Sequence, residues 1–113
     1  MLDVLHDEFE WDQRKAVANL KKHGVSFDDA AYVLADDLAE VYHHEQYDEV
    51  HAGKEDRFIT VASHPLDRSI VLAIAWTERR QATAQITRII TARHATGRER
   101  RMYASYLIET SGT

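Results

Sequence analysis

Polar and apolar residues alternate over Glu8-Phe9-Glu10-Trp11, the period of a short strand with one buried face. Asp12 follows as an N-cap and predicts a helix over Arg14–His23, with Ala16, Val17 and Leu20 at helical spacing. Lys21, Lys22 and His23 fall in its last turn, where cations complement the helix dipole, and Gly24 supplies the stop. Ser26 opens a second helix with Asp28 and Asp29 in its first turn. Phe27, Ala30, Ala31 and Leu34 mark its buried face, and Asp36-Asp37 ends it.

The second part of the chain reads as strands. Leu38–His43 is a strand with Val41 inward, and His44–Asp56 is polar, contains Gly53 and reads as a loop. Arg57–Ala62 is the next strand, and His64–Ser69 a turn. Ile70–Trp76 is almost continuously apolar, as expected of a central strand covered on both faces. Thr77-Glu78-Arg79-Arg80 ends it, and Gln81–Gln85 reads as a somewhat long hairpin connection to a last strand over Ile86–Ala92. A helix from Thr96 to about Glu109 closes the domain, with Ser111-Gly-Thr as a tail. The order β-α-α-β-β-β-β-α predicts one α+β domain with a core over about residues 8–109, an antiparallel sheet and helices gathered on one face.

Composition changes this picture in two respects. There is no cysteine, which excludes a disulfide frame, a thiolate metal site and a cysteine nucleophile. The N-terminal stretch is acidic and has no long apolar run, so the expectation is a cytoplasmic protein with no membrane partner. The net charge of −5 argues at first against nucleic acid, but its distribution does not. Residues 1–60 hold 15 acids against 6 Lys or Arg, whereas residues 61–113 hold 4 acids against 8 basic residues, all arginine. Arginine grips phosphates and carboxylates through two parallel hydrogen bonds.

Those arginines concentrate in Arg88-Ile-Ile-Thr-Ala-Arg93-His-Ala-Thr-Gly-Arg98-Glu-Arg-Arg101-Met-Tyr103, a strand running into a helix. Thr96 and Glu99 form a capping box. Arg98, Arg100 and Arg101 oppose the dipole of the helix they open. An anion held there would resolve the conflict, while the plainer reading is a solvated helix face. His43, His44 and His51 lie near Glu45, Asp48, Glu49 and Asp56, but without helical spacing the group reads as a solvated acidic loop, and no metal is expected. Lys22-His23 and Glu78-Arg79 have equally plain alternatives, a helix C-terminus and a surface hairpin. Taken together, His23 or Glu78 as base or acid, the Tyr103 hydroxyl, and Arg79, Arg88 and Arg93 as phosphate holders are the set that metal-free RNA cleavage needs.

The ordered segments also resemble the BrnT family of ribonuclease toxins from bacterial toxin–antitoxin pairs. The resemblance rests on Phe9-Glu-Trp-Asp12, Lys15, Asn19-Leu-Lys-Lys-His-Gly-Val-Ser-Phe27, Ala30-Ala31 and Glu55-Asp-Arg-Phe-Ile-Thr-Val61. It continues through Thr77-Glu-Arg79, Arg88-Ile-Ile-Thr-Ala-Arg93, Ala95-Thr96, Glu99-Arg100 and Tyr103, and so covers roughly residues 8–106. It implies a RelE-like fold and a type II toxin that cuts RNA without a cofactor. It also implies neutralisation by a ribbon-helix-helix antitoxin and operator DNA binding only through the toxin–antitoxin complex. Carried over to this sequence, the expected catalytic residues are Lys22, His23, Glu78, Arg79 and Tyr103, and the substrate-binding residues Arg80, Arg88, Arg93 and Arg98. His94 departs from the basic residue frequent there, and the connections at Arg80–Gln85 and His44–Lys54 look longer than usual. Two other readings stand beside the toxin: a catalytically inactive relative acting as corepressor with its antitoxin, and a stand-alone DNA binder. The overall negative charge and the lack of a helix-turn-helix pattern count against the second.

Overall fold

The computed structural model describes residues 3–6, 9–36, 42–46, 57–82 and 84–111. In chain order the elements are β1 (Asp3–His6), β2 (Phe9–Asp12), α1 (Gln13–His23), α2 (Phe27–Ala35), β3 (Tyr42–Gln46), β4 (Arg57–His64), β5 (Asp67–Gln81), β6 (Ala84–His94) and α3 (Gly97–Ser111). The class is α+β and the expected order is present, with β1 added in front. The strands form one sheet in the order β1-β2-β6-β5-β4-β3. Every pairing is antiparallel except β2 with β6, which run parallel through Phe9↔Thr87 and Glu10↔Arg88. That parallel join makes the sheet mixed, and it brings the start of the chain beside its last strand.

The caps end the helices where local chemistry says they should. The Asp12 carboxylate accepts from the Arg14 and Lys15 N–H groups, and the Ser26 hydroxyl from that of Asp29. Gly24 adopts φ 70°, the left-handed conformation that closes α1. The inward side of α1 is not the one its apolar spacing suggests. Val17 and Leu20 are 50% and 52% exposed, whereas the polar Asn19 is buried. Asn19 donates to the carbonyls of Val25 (3.0 Å) and Ala92 (2.7 Å) and accepts the Ala92 N–H (3.2 Å). Its amide thus stands in for a neighbouring strand along β6 beyond the end of β2, satisfying backbone groups that would otherwise be buried unpaired.

The larger part of the core lies between the sheet and the first two helices, and Val61, Val71, Ala73 and Tyr103 are buried on the α3 side. Trp11 of β2 meets Phe27 of α2 edge-on at 6.0 Å, and Ala30, Val33, Leu72, Ile74, Ile89 and Ala92 are fully buried around them. Val71–Ile74 is buried without interruption, as a central strand requires. The β5–β6 hairpin differs from expectation. Pairing continues from Arg80↔Gln85 to Gln81↔Ala84, so Thr77–Arg80 lies within the ladder and the connection is a tight turn with Ala82 at φ 55°. The backbone of His43, His44 and Glu45 belongs to β3 rather than to a strand end and loop. Residues 38–41 of the expected strand, and Asp48, Glu49, His51 and Asp56, lie outside the described residues. Among the described residues no group of three or more His, Cys, Asp or Glu is placed to hold a metal ion, and no helix is long and apolar enough to cross a membrane.

Candidate functional site

Strand alternation sorts the candidate residues between the two faces of the sheet. On β5, Ala73, Thr77 and Arg79 share a face, and their partners on β6 are Arg93, Arg88 and Ile86. Arg88 and Arg93 are five residues apart, a spacing that puts side chains on opposite faces of a regular strand. The register shift corrects this: Ala75 pairs with Thr91 but Trp76 with Ile89, so Ile90 is an extra residue on β6. The bulge returns Arg88 to the side of Arg93. Glu10, paired with Arg88 across the parallel join, faces the same way.

The result is an arginine face with two centres. In the first, Arg79 Nη1 and Arg88 Nη1 both donate to Glu10 Oε2, at 2.7 and 2.5 Å. Glu10 is 5% exposed at its side chain, Arg88 20% and Arg79 51%, so the carboxylate is the floor and Arg79 the rim. Thr77, opposite Arg88, is buried beside it. In the second centre, Arg93 binds Glu99 through both ends of its guanidinium, at 2.7 and 3.0 Å. Glu99 also accepts the Thr96 N–H, and its own N–H donates to the Thr96 hydroxyl, completing the capping box of α3. Arg93, foremost by its hydrogen bonds, holds the Glu99 carboxyl down at about 2. The same bonds raise Arg93 further above its ordinary value. Arg93 stands five residues along β6 from Arg88, roughly 15 Å at strand rise, so the two centres are neighbours on one face and not one pocket.

The other candidates are placed elsewhere. Alternation points Glu78 and Arg80 to the face opposite Arg79, both exposed, with Glu78 accepting from Gln85 at 2.8 Å. Lys22 and Arg98 are exposed on α1 and α3, and His23 is half-buried at the end of α1. Tyr103 is buried. The Ser63 N–H donates to its hydroxyl at 3.3 Å, and the Ser63 hydroxyl lies 3.2 Å from it. Ser63 shares the face of Ala73 through Val71, so α3 is tied by Arg93 and Tyr103 to the arginine side, while α1 and α2 cover the other.

A cleft of about 300 Å³ opens on that other side, lined by residues including Val25, Asp29, His64, Ile70, Leu72 and His94. His64 accepts the Leu66 N–H at Nδ1 (3.1 Å) and so donates from Nε2 to Asp29 (3.0 Å). With both ring nitrogens engaged, it braces the β4–β5 turn instead of offering a base. Sequence reasoning missed Glu10. Its alternation with Phe9 and Trp11 marks a strand, but nothing local signals partners 69 and 78 positions away.

No curated protein matches the chain. The family model for the ribonuclease toxin BrnT, of type II toxin–antitoxin systems, matches residues 11–99. That span takes in α1, the β5–β6 hairpin and the start of α3, and so all three arginines that the bulge brings onto one face. The chain belongs to the BrnT family of type II toxin–antitoxin ribonuclease toxins.

Proposed function

We propose that the protein is a metal-independent endoribonuclease toxin that cuts RNA through the arginine face, and so blocks translation and growth. The observation that carries this reading is the convergence of Arg79 and Arg88 on Glu10, on the face that also bears Arg93. The substrate 2′-hydroxyl attacks the adjacent phosphorus as a base takes its proton. The bond to the 5′-oxygen breaks as that oxygen is protonated, leaving a 2′,3′-cyclic phosphate. Arg79 and Arg88 stabilise the charge that builds on the phosphorane oxygens, where fixed cations are worth most. Arg93, with Arg98 on the helix that packs on the same side, holds flanking phosphates, whereas Arg80 projects from the opposite face and takes no part in this site. Of the groups considered for proton transfer, Tyr103 lies on the arginine side of the sheet, whereas Glu78 and the helix that carries Lys22 and His23 lie on the other, so the Tyr103 hydroxyl is the first to test at saturating RNA. The setting is that of a RelE-like cytoplasmic toxin held inactive by a ribbon-helix-helix antitoxin, through which alone the pair reaches operator DNA.

The test is cleavage of a defined RNA by the purified chain in EDTA, with product ends identified. A second reading rests on a specific observation: Arg79, Arg88 and Arg93 each already hold a carboxylate. In that reading the chain is a non-cutting corepressor. Tight antitoxin and operator binding without RNA cleavage would favour it.

A further inference from the structure

We propose that Glu10 is a positioning residue for RNA cleavage, a buried anion that fixes the two phosphate-facing arginines at a set spacing; this rests on the ribonuclease reading above. Glu10 sits on β2, the strand joined in parallel to β6, and its side chain is 5% exposed. A carboxylate withdrawn from water needs charged partners, and Arg79 and Arg88 supply them through a single oxygen, Oε2. Because both Nη1 atoms bond that oxygen, they are no more than about 5 Å apart. Two oxygens of one phosphate can bridge such a spacing. The two arginines come from different strands, and each has a long, flexible stem. Without a common anion their like charges would drive them apart, and a phosphate would have to order them itself.

Charge gives the proposal a signature. Glu10 offsets one of the two arginine charges, so it lowers the raw attraction for RNA while it improves the geometry of the cut. Glu10→Gln keeps the shape and an oxygen acceptor but removes the charge. The variant is expected to lose about 100-fold in kcat, the scale of misplacing catalytic groups by an ångström. Its KM for RNA is expected to stay unchanged or fall, with log affinity against log salt steeper by about 0.7, as for one more phosphate neutralised on a single strand. A residue serving the fold alone would not separate kcat from KM in this way.

The experiment measures kcat, KM and salt slope for wild type and Glu10→Gln on one single-stranded RNA in EDTA, with melting followed alongside. Glu10→Asp is the second variant should Glu10→Gln not fold; it keeps the charge but draws the carboxylate back by one methylene. It is expected to lose kcat with an unchanged salt slope. Cleavage by either folded variant within threefold of wild type overturns the proposal, as does loss of RNA binding in step with cutting. Either result leaves the ribonuclease reading standing if the wild-type chain cuts. A wild-type chain that cuts no RNA overturns both.

Discussion

Arg88 and Arg93 lie five residues apart on one strand yet face the same side, because a bulge at Ile90 inserts one unpaired residue between them. The functional reading depends on this. Without the extra residue the arginine nearest Glu10 and the arginine that anchors α3 would project from opposite faces of the sheet. Each of the two then meets its own carboxylate, Arg88 on Glu10 and Arg93 on Glu99.

The Arg93–Glu99 pair makes stability depend on pH in a defined window. The Glu99 carboxyl is held at about 2, below its ordinary 4.5, first by the Arg93 hydrogen bond. A carboxyl depressed in the folded state binds its proton more readily when unfolded. Its contribution is therefore complete above about pH 4.5 and is lost as pH falls toward 2. Glu99→Gln should cost about 1 kcal/mol at pH 7, the scale of a lost cap. The gap to wild type should close between those two pH values. Urea unfolding at pH 7, 4, 3 and 2 checks this; a gap that is constant with pH would contradict it.

Asn19 should be among the costliest polar residues to remove. Asn19→Ala strands the Ala92 N–H and carbonyl in the interior, and each unsatisfied buried group costs about 1–3 kcal/mol. A loss of about 3 kcal/mol in urea unfolding is expected. Leu20→Gln, one position along the same helix but half exposed, should stay within about 0.5 kcal/mol. Comparable losses at the two positions would mean that α1 is turned differently.

Tyr103→Phe separates packing from chemistry. The Tyr103 hydroxyl is buried against Ser63, so its removal should cost about 1–2 kcal/mol of stability. Cutting at saturating RNA should stay within about tenfold of wild type. A loss near 100-fold in kcat with unchanged melting would instead assign that hydroxyl to proton transfer.

The helices were legible in the sequence because their ends are local events. Asp12, Ser26, Gly24 and the Thr96–Glu99 box each act within a few residues, and each cap forms as expected. Sheet pairing was less legible, because partners are chosen over long distances. β1 and the parallel join of β2 to β6 have no local marker. Gln81–Gln85 reads as a connection, although Gln81, Ala84 and Gln85 pair within the ladder. The inward turn of α1 was hidden for a related reason. Asn19 is chosen by the open edge of β6, a partner 73 residues away, and no period of apolar residues reveals it. The arginines stood out by residue type. Their common face did not, since it requires a bulge at Ile90 that hydrophobicity does not encode. Glu78 and Arg80 flank Arg79 in sequence, whereas alternation sends both to the opposite face.

The most direct test is cleavage of single-stranded RNA in EDTA by wild type and by Arg88→Ala, with melting measured on both. Wild type is expected to release 2′,3′-cyclic phosphate ends, and Arg88→Ala, still folded, to cut about 100-fold more slowly, as for loss of one donor to a developing oxyanion. Undiminished cutting by folded Arg88→Ala, or no cutting by the wild-type chain, would contradict the proposed function.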